Sequence, residues 1–248
     1  GQPNGHPLIM LHGMSTSADS FREVAHELAA DHWLMAPDIP GFGYSENTKP
    51  YNVPHLVEWL AAFQAALDLP HMVLVGHSFG GLLATQFALT YPESLSKMVL
   101  IAPALLRAES YPELMKKVGF SMGLVTLGSA ISQSKVWVKR QIKAPFFDPD
   151  KQDDSVWQRR LMDYDLSRAS ADVLKAAAFH LVRPYLSHLS HPVCLIWGED
   201  DPVVPVSDAD ELEKLLPDVE LHKLAECGHV PILEHRQAVA AIISKFLY

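Results

Sequence analysis

Five short apolar runs and a sixth, mixed segment punctuate this chain, at residues 8–11, 33–36, 72–75, 98–101 and 193–197, and at 219–224. Each is too short for a core helix and is bounded by Gly, Pro or polar residues, so each predicts a buried β-strand. The stretches between them are helical in period. Apolar residues fall at Val53, Leu56, Val57, Leu60, Phe63 and Leu67, with Pro70 closing the pattern, which predicts a helix over 53–67. Similar patterns predict helices over 21–30, 79–91, 208–216 and 237–246. Strands alternating with helices define an α/β class, with a mostly parallel central sheet flanked by helices on both faces.

The alternation breaks once. Residues 104–190 are helical in period, rich in Met, Trp and Phe, and contain no strand pattern. The expected organisation is therefore a core built from residues 1–103 and 191–248, with an α-helical insertion at 104–190. A chain of 248 residues is long enough for one compact domain with such an insertion. Its formal charge of −9 leaves no basic stripe for phosphates, which argues against a nucleic-acid partner. No run approaches the roughly 20 apolar residues needed to cross a bilayer, so no membrane span is expected. The only two cysteines, Cys194 and Cys227, suit a reducing compartment and a cytoplasmic protein.

The sharpest chemical feature is Gly76-His77-Ser78-Phe79-Gly80, a G-x-S-x-G between a predicted strand and a predicted helix. A serine hydroxyl becomes a useful nucleophile when a sharp turn exposes it to a base and to a substrate carbonyl. Small neighbours at both ends of that turn let strand and helix approach. The base should be an imidazole, which can take a proton near neutral pH. Among 13 histidines, His229 stands out, because Cys227-Gly228-His229-Val230-Pro231 lies between the last strand and the last helix. In a parallel sheet the loops at the carboxyl ends of the strands converge on one face, so Ser78 and His229 can meet. A supporting carboxylate is expected from a third such loop. Residues 197–202 offer Glu199, Asp200 and Asp201 directly after a strand, and the loop after the fourth strand offers none.

These motifs resemble the α/β-hydrolase superfamily, whose triad runs in the order Ser, Asp, His. The matching signatures are LHG at Leu11–Gly13, D-x-P-G-x-G-x-S at Asp38, Pro40, Gly41, Gly43 and Ser45, GHSFGG from Gly76, and G-x-x-D-x-x-x-P at Gly198, Asp201 and Pro205, followed by Gly228-His229. The resemblance covers almost all of the chain outside 104–190. It implies that the acid is Asp201 and that the backbone amides of Met14 and Phe79 form an oxyanion hole. It also implies that the insertion is a cap, in which Trp137, Phe146, Phe147 and Phe179 line an apolar acyl pocket, alongside such residues as Met115, Phe120 and Met122. His12 reads as the holder of its loop and His77 as a packing residue beside the nucleophile.

The activity implied is that of a serine hydrolase, carboxylesterase-like, acting on a small or medium, largely apolar carboxylic ester through an acyl-enzyme. No metal and no organic cofactor is required. The partner is a small-molecule ester or lactone substrate. A lactonase, for example on acyl-homoserine lactones, and a C–C bond hydrolase are the alternatives within the fold, although Met14-Ser15-Thr16-Ser17 replaces the glycine-rich loop usual in C–C hydrolases. A ligand receptor without turnover is the alternative of another class. A serine at the elbow, where dehalogenases and epoxide hydrolases carry aspartate, sets those activities apart.

Overall fold

The computed structural model describes residues 1–3, 5–110 and 135–248. All six predicted strands form: β1 (His6–Leu11), β2 (His32–Met35), β3 (Met72–His77), β4 (Leu95–Ile101), β5 (Val193–Gly198) and β6 (Val219–Leu224). They make one sheet in the order β2-β1-β3-β4-β5-β6, and every pairing is parallel. β3 is buried at every position and β5 likewise. Strands covered on both faces read as unbroken apolar runs rather than as alternating ones, which is why the sequence displayed them so plainly.

The flanking helices are α1 (Arg22–Leu28), α2 (Val53–Ala66), α3 (Phe79–Thr90), the single turn α4 (Arg107–Ser110), α5 (Lys135–Lys143), α6 (Asp154–Asp165), α7 (Ser170–Phe179), α8 (Ser207–Leu215), the single turn α9 (Pro231–Glu234) and α10 (Arg236–Leu247). The sheet separates two apolar layers. One holds Leu56 and Leu60 of α2, Leu83 and Phe87 of α3, and Leu212 of α8. The other holds Val24 and Leu28 of α1 with Val239 and Ile243 of α10. Each fully buried side chain of this size contributes about 1.5–3 kcal/mol relative to exposure, so the layers hold the sheet as a rigid platform.

Local chemistry sets the helix starts. The Asn52 side chain accepts a hydrogen bond from the His55 amide at 2.9 Å, and Pro54 occupies the first turn of α2, where its missing N–H costs nothing. β4 starts at Leu95, three residues before the apolar run at 98–101, and a smaller departure is at residue 21. Phe21 belongs to a 3-10 turn over Ala18–Phe21, so the helix starts one residue later, at Arg22. The Ser17 hydroxyl caps that turn by accepting from the Asp19 amide, a local bond that competes with a regular helix start.

Between β4 and β5 the described residues form helices and turns with no strand. These helices rest on loops at the carboxyl edge of the sheet. The Ser17 hydroxyl donates to Asp163 at 2.5 Å. Ser15 and Ser170 share a hydrogen bond of 2.8 Å, and the Gly41 carbonyl accepts the amides of Arg168 and Ala169.

Candidate active site

The chain runs from β1 outward to β2 and returns to β3 on the other side of β1. That reversal opens a crevice at the carboxyl ends of β1 and β3, where ligands of such sheets bind. Ser78 sits there, one residue beyond β3 and one before α3, with φ 52° and ψ −114°. A non-glycine residue adopts this left-handed backbone only when its surroundings impose it. Here the Ser78 amide donates to the Ile101 carbonyl at 2.9 Å, and the Ser78 carbonyl accepts from Gly81, Leu82 and Ala104. The glycines of the motif are required by contact. A Cβ on Gly76 would stand 2.6 Å from the Gly80 carbonyl oxygen, and one on Gly80 would overlap the Leu11 carbonyl.

Three carboxyl-edge loops meet at this point. The Ser78 hydroxyl donates to His229 Nε2 at 3.0 Å, and His229 Nδ1 donates to Asp201 Oδ2 at 2.7 Å. The Asp201 side chain is fully enclosed. Its other oxygen accepts the amides of Val203 at 2.7 Å and Val204 at 2.9 Å, so the carboxylate is aimed by its own loop. The neighbouring candidates Glu199 and Asp200 are exposed. The acid and base loops are tied together, because Glu199 donates to Leu224 and Asp200 to Cys227 through their backbones. A hydroxyl, an imidazole and a buried carboxylate thus stand in line, the arrangement that moves a proton off an attacking oxygen and stabilises the resulting imidazolium.

The other two histidines are structural members of the site. His12 Nε2 accepts the Ile39 amide at 2.9 Å, and Nδ1 donates to the Gly13 carbonyl at 2.8 Å. Burial drives its pKa down to about 4, so the ring is a neutral brace. His77 Nε2 donates to the His229 carbonyl at 2.8 Å, and burial, together with the nearby His229, takes its pKa down to about 3. Its role is more definite than packing: it grips the backbone of the residue whose ring faces Ser78.

Gly13 lies against the elbow, where a Cβ would meet His77 Nδ1 at 2.9 Å and Ser78 Cβ at 3.3 Å. Met14 follows on this loop, and Phe79 opens α3 directly after Ser78. The Asp38 signature serves the same region. Asp38 accepts the amides of Ala18 at 2.7 Å and Tyr44 at 2.9 Å, pinning the β2 loop to the segment that follows Met14. Gly43, at φ 52°, is pressed onto that carboxylate.

Glu234 was not singled out from the sequence. Its carboxylate accepts the amides of Gly228 at 3.0 Å, Val230 at 3.3 Å and Phe147 at 2.7 Å, bracketing His229 on both sides. Burial raises its pKa and the three amides lower it. An acid in the first turn of a helix opened by Pro231 was the available signal, since such positions face free amides. His229 itself donates its amide to the Pro145 carbonyl at 2.7 Å.

The four aromatic residues expected in a pocket are placed differently from one another. Phe146 is 5% exposed and stacks edge-on against Trp157 at 5.0 Å, inside the layer that contains α1 and α10. Trp137, Phe147 and Phe179 are 46%, 41% and 51% exposed. Met115, Phe120 and Met122 lie outside the described residues. Cys227 is fully buried, and burial raises its thiol pKa, the opposite of what a nucleophilic thiolate needs. Among the described residues no three His, Cys, Asp or Glu side chains gather as metal ligands. No described helix is long and apolar enough to cross a membrane.

A nucleophile elbow on a parallel sheet, with an imidazole and a carboxylate in line, is the architecture of a hydrolase. Residues 6–236 match the family model of the alpha/beta hydrolase fold, and the chain belongs to that family. It is 28% identical to a pimeloyl-(acyl-carrier protein) methyl ester esterase of Xylella fastidiosa (strain 9a5c), over 98% of this chain and 95% of the relative. It is 29% identical to a 2-hydroxy-6-oxo-6-phenylhexa-2,4-dienoate hydrolase of Burkholderia cepacia, over 98% and 88%. A thermophilic esterase from Thermogutta terrifontis shares the fold with a TM-score of 0.85 and 21% identity, over 98% of this chain and 89% of that one.

Proposed function

We propose that this hydrolase is a carboxylesterase in which Ser78 is the nucleophile, His229 the general base and acid, and Asp201 the residue that orients and stabilises the imidazole. The carrying observation is the unbroken line from Ser78 Oγ through the His229 ring to Asp201, at 3.0 and 2.7 Å. Ser78 attacks the acyl carbon as His229 takes its proton. The same ring then protonates the departing alcohol, and water activated by His229 releases the acyl group. The amides of Met14 and Phe79 serve the developing oxyanion, a contribution of about 3 kcal/mol for one such donor. Close approach of Gly13 to Ser78 supports that role for the β1 loop.

Residues 104–190 act as a cap over the cleft. The contacts of Ser15, Ser17 and Gly41 with this segment support that reading. The substrate is a small ester, and the two free, buried cysteines fit a cytoplasmic setting. C–C bond hydrolysis is the second reading, favoured by the Burkholderia relative. It would use the same hydroxyl and imidazole on a ketonic carbon.

A fluorophosphonate should label Ser78, and Ser78→Ala should abolish labelling together with hydrolysis of p-nitrophenyl butyrate. Equal turnover by both proteins would refute the assignment. A panel of esters, lactones and dienoic diketo acids then ranks the two readings.

A further inference from the structure

The loop after β1 turns two side chains onto one backbone group. The Gly13 carbonyl accepts the Thr16 hydroxyl at 2.8 Å and the His12 Nδ1 proton at 2.8 Å. A carbonyl oxygen has two lone pairs, so both are taken. Thr16 Oγ1 also stands 3.2 Å from His12 Nδ1, which closes the three groups into one cluster. Both side chains belong to buried residues. The far edge of the His12 ring is fixed by the Ile39 amide, and the ring lies edge-on to Phe42. A threonine hydroxyl that reaches back three residues along the chain competes with regular structure for a backbone carbonyl. Here it secures the orientation of a single peptide plane.

That plane joins Gly13 to Met14. The bond is trans, so the Met14 N–H points opposite to the Gly13 carbonyl. Gly13 lies against the nucleophile, where a Cβ would stand 3.3 Å from Ser78 Cβ. Among the described residues the Met14 amide meets no acceptor. Directly beyond it the chain reverses through Ser15, at φ 59°, whose hydroxyl bonds with Ser170 at 2.8 Å. We infer that Thr16 is a positioning residue for the reaction: by holding the Gly13 carbonyl on the His12 side, it aims the Met14 amide at the oxyanion. That charge arises when Ser78 Oγ bonds to the acyl carbon, its proton passes to His229, and the carbonyl π pair moves onto oxygen. Thr16 touches neither the substrate nor the reacting atoms. Without its hydroxyl, one lone pair of the Gly13 carbonyl loses its partner and only His12 resists a tilt of the plane. Oxyanion stabilisation depends on donors fixed before the charge develops. The inference rests on Ser78 as nucleophile and on the Met14 amide as oxyanion donor, and it adds the side chain that sets that amide.

The test compares p-nitrophenyl butyrate with its thiono counterpart, in which sulfur replaces the acyl oxygen. Donors placed for an oxyanion contribute less to a larger sulfur anion, so the oxo-to-thiono ratio of kcat reads the hole rather than the triad. Thr16→Val keeps the shape of the side chain and removes the hydroxyl. It should lower kcat for the oxo ester about tenfold, less than the ~100-fold of losing a donor outright, with KM little changed. The oxo-to-thiono ratio should fall by a similar factor, and Thr16→Ser should restore most of both. Affinity for a trifluoromethyl ketone, whose adduct with Ser78 carries the oxyanion, should weaken in step with kcat/KM. Equal proportional loss on oxo and thiono esters in Thr16→Val, or a Thr16→Ser protein as impaired as Thr16→Val, overturns the proposal. Should Thr16→Val fail to fold, Thr16→Ala against Thr16→Ser carries the same comparison with the same outcomes. Failure of the underlying reading shows in the wild type alone. A trifluoromethyl ketone bound equally by wild type and Ser78→Ala sinks the nucleophile, and a wild-type oxo-to-thiono ratio near one removes the oxyanion hole; either takes the Thr16 assignment with it. A wild type that passes both, with its ratio kept in Thr16→Val, removes Thr16 alone.

Discussion

The two regions that meet near Ser78 are built on different principles. The floor, formed by loops at the carboxyl edge of the sheet, is shaped by backbone demands: a left-handed Ser78, and glycines at 76 and 80 with no room for a Cβ. The proposed roof, the helices between β4 and β5, meets that floor through the side chains of Asp163 and Ser170 and through backbone bonds at Gly41 and Pro145. Backbone demands admit few residue types and so leave motifs. Side-chain contacts between helices admit many, and the chemistry of the roof surfaces only when the two sides are brought together.

The largest effect that tests this contrast is expected at Asp201. Asp201→Asn keeps the size of the side chain but not its charge, and kcat for an ester should fall by about four orders of magnitude with little change in melting temperature. If Asp200→Asn instead produced the loss, the floor would be wired differently.

Acid should come next. His12 and His77 are buried, with pKa values near 4 and 3 against an ordinary 6.5. The unfolded chain therefore binds protons more readily than the folded one, and the stability held by these neutral rings is complete above pH 6.5 and lost as pH falls below it. By pH 4, His12 alone should account for about 3 kcal/mol. Urea unfolding from pH 7 to 4 measures this, and His12→Gln should flatten the curve. An unaltered slope in that variant would remove His12 as a determinant of the floor.

The smallest effect is expected where floor and roof are joined. Glu234→Gln replaces a carboxylate that accepts from Gly228 and Val230 below and from Phe147 above. Losing charge-assisted bonds with a net worth of about 1.5–3 kcal/mol should lower kcat roughly tenfold while KM changes less, because Glu234 holds the backbone on either side of His229. A KM-only effect would assign Glu234 to the roof.

These differences explain what was readable in advance. β3 and β5 were legible because both faces are covered, and the placing of Asp201 beside His229 because its loop spacing follows the family pattern. His77 looked like packing, since nothing in GHSFGG reveals that its Nε2 reaches the carbonyl of His229, 152 residues away. Phe146 looked like a pocket residue because an aromatic in an insertion carries no mark of which layer it joins.

The bond from the His229 amide to the Pro145 carbonyl has a consequence for recombination. A foreign insertion spliced in place of residues 104–190 would arrive without that acceptor, and the segment presenting the base would be set by whatever polypeptide replaced it. Transplanting selectivity into this scaffold therefore requires a donor that brings an equivalent carbonyl to the same spot.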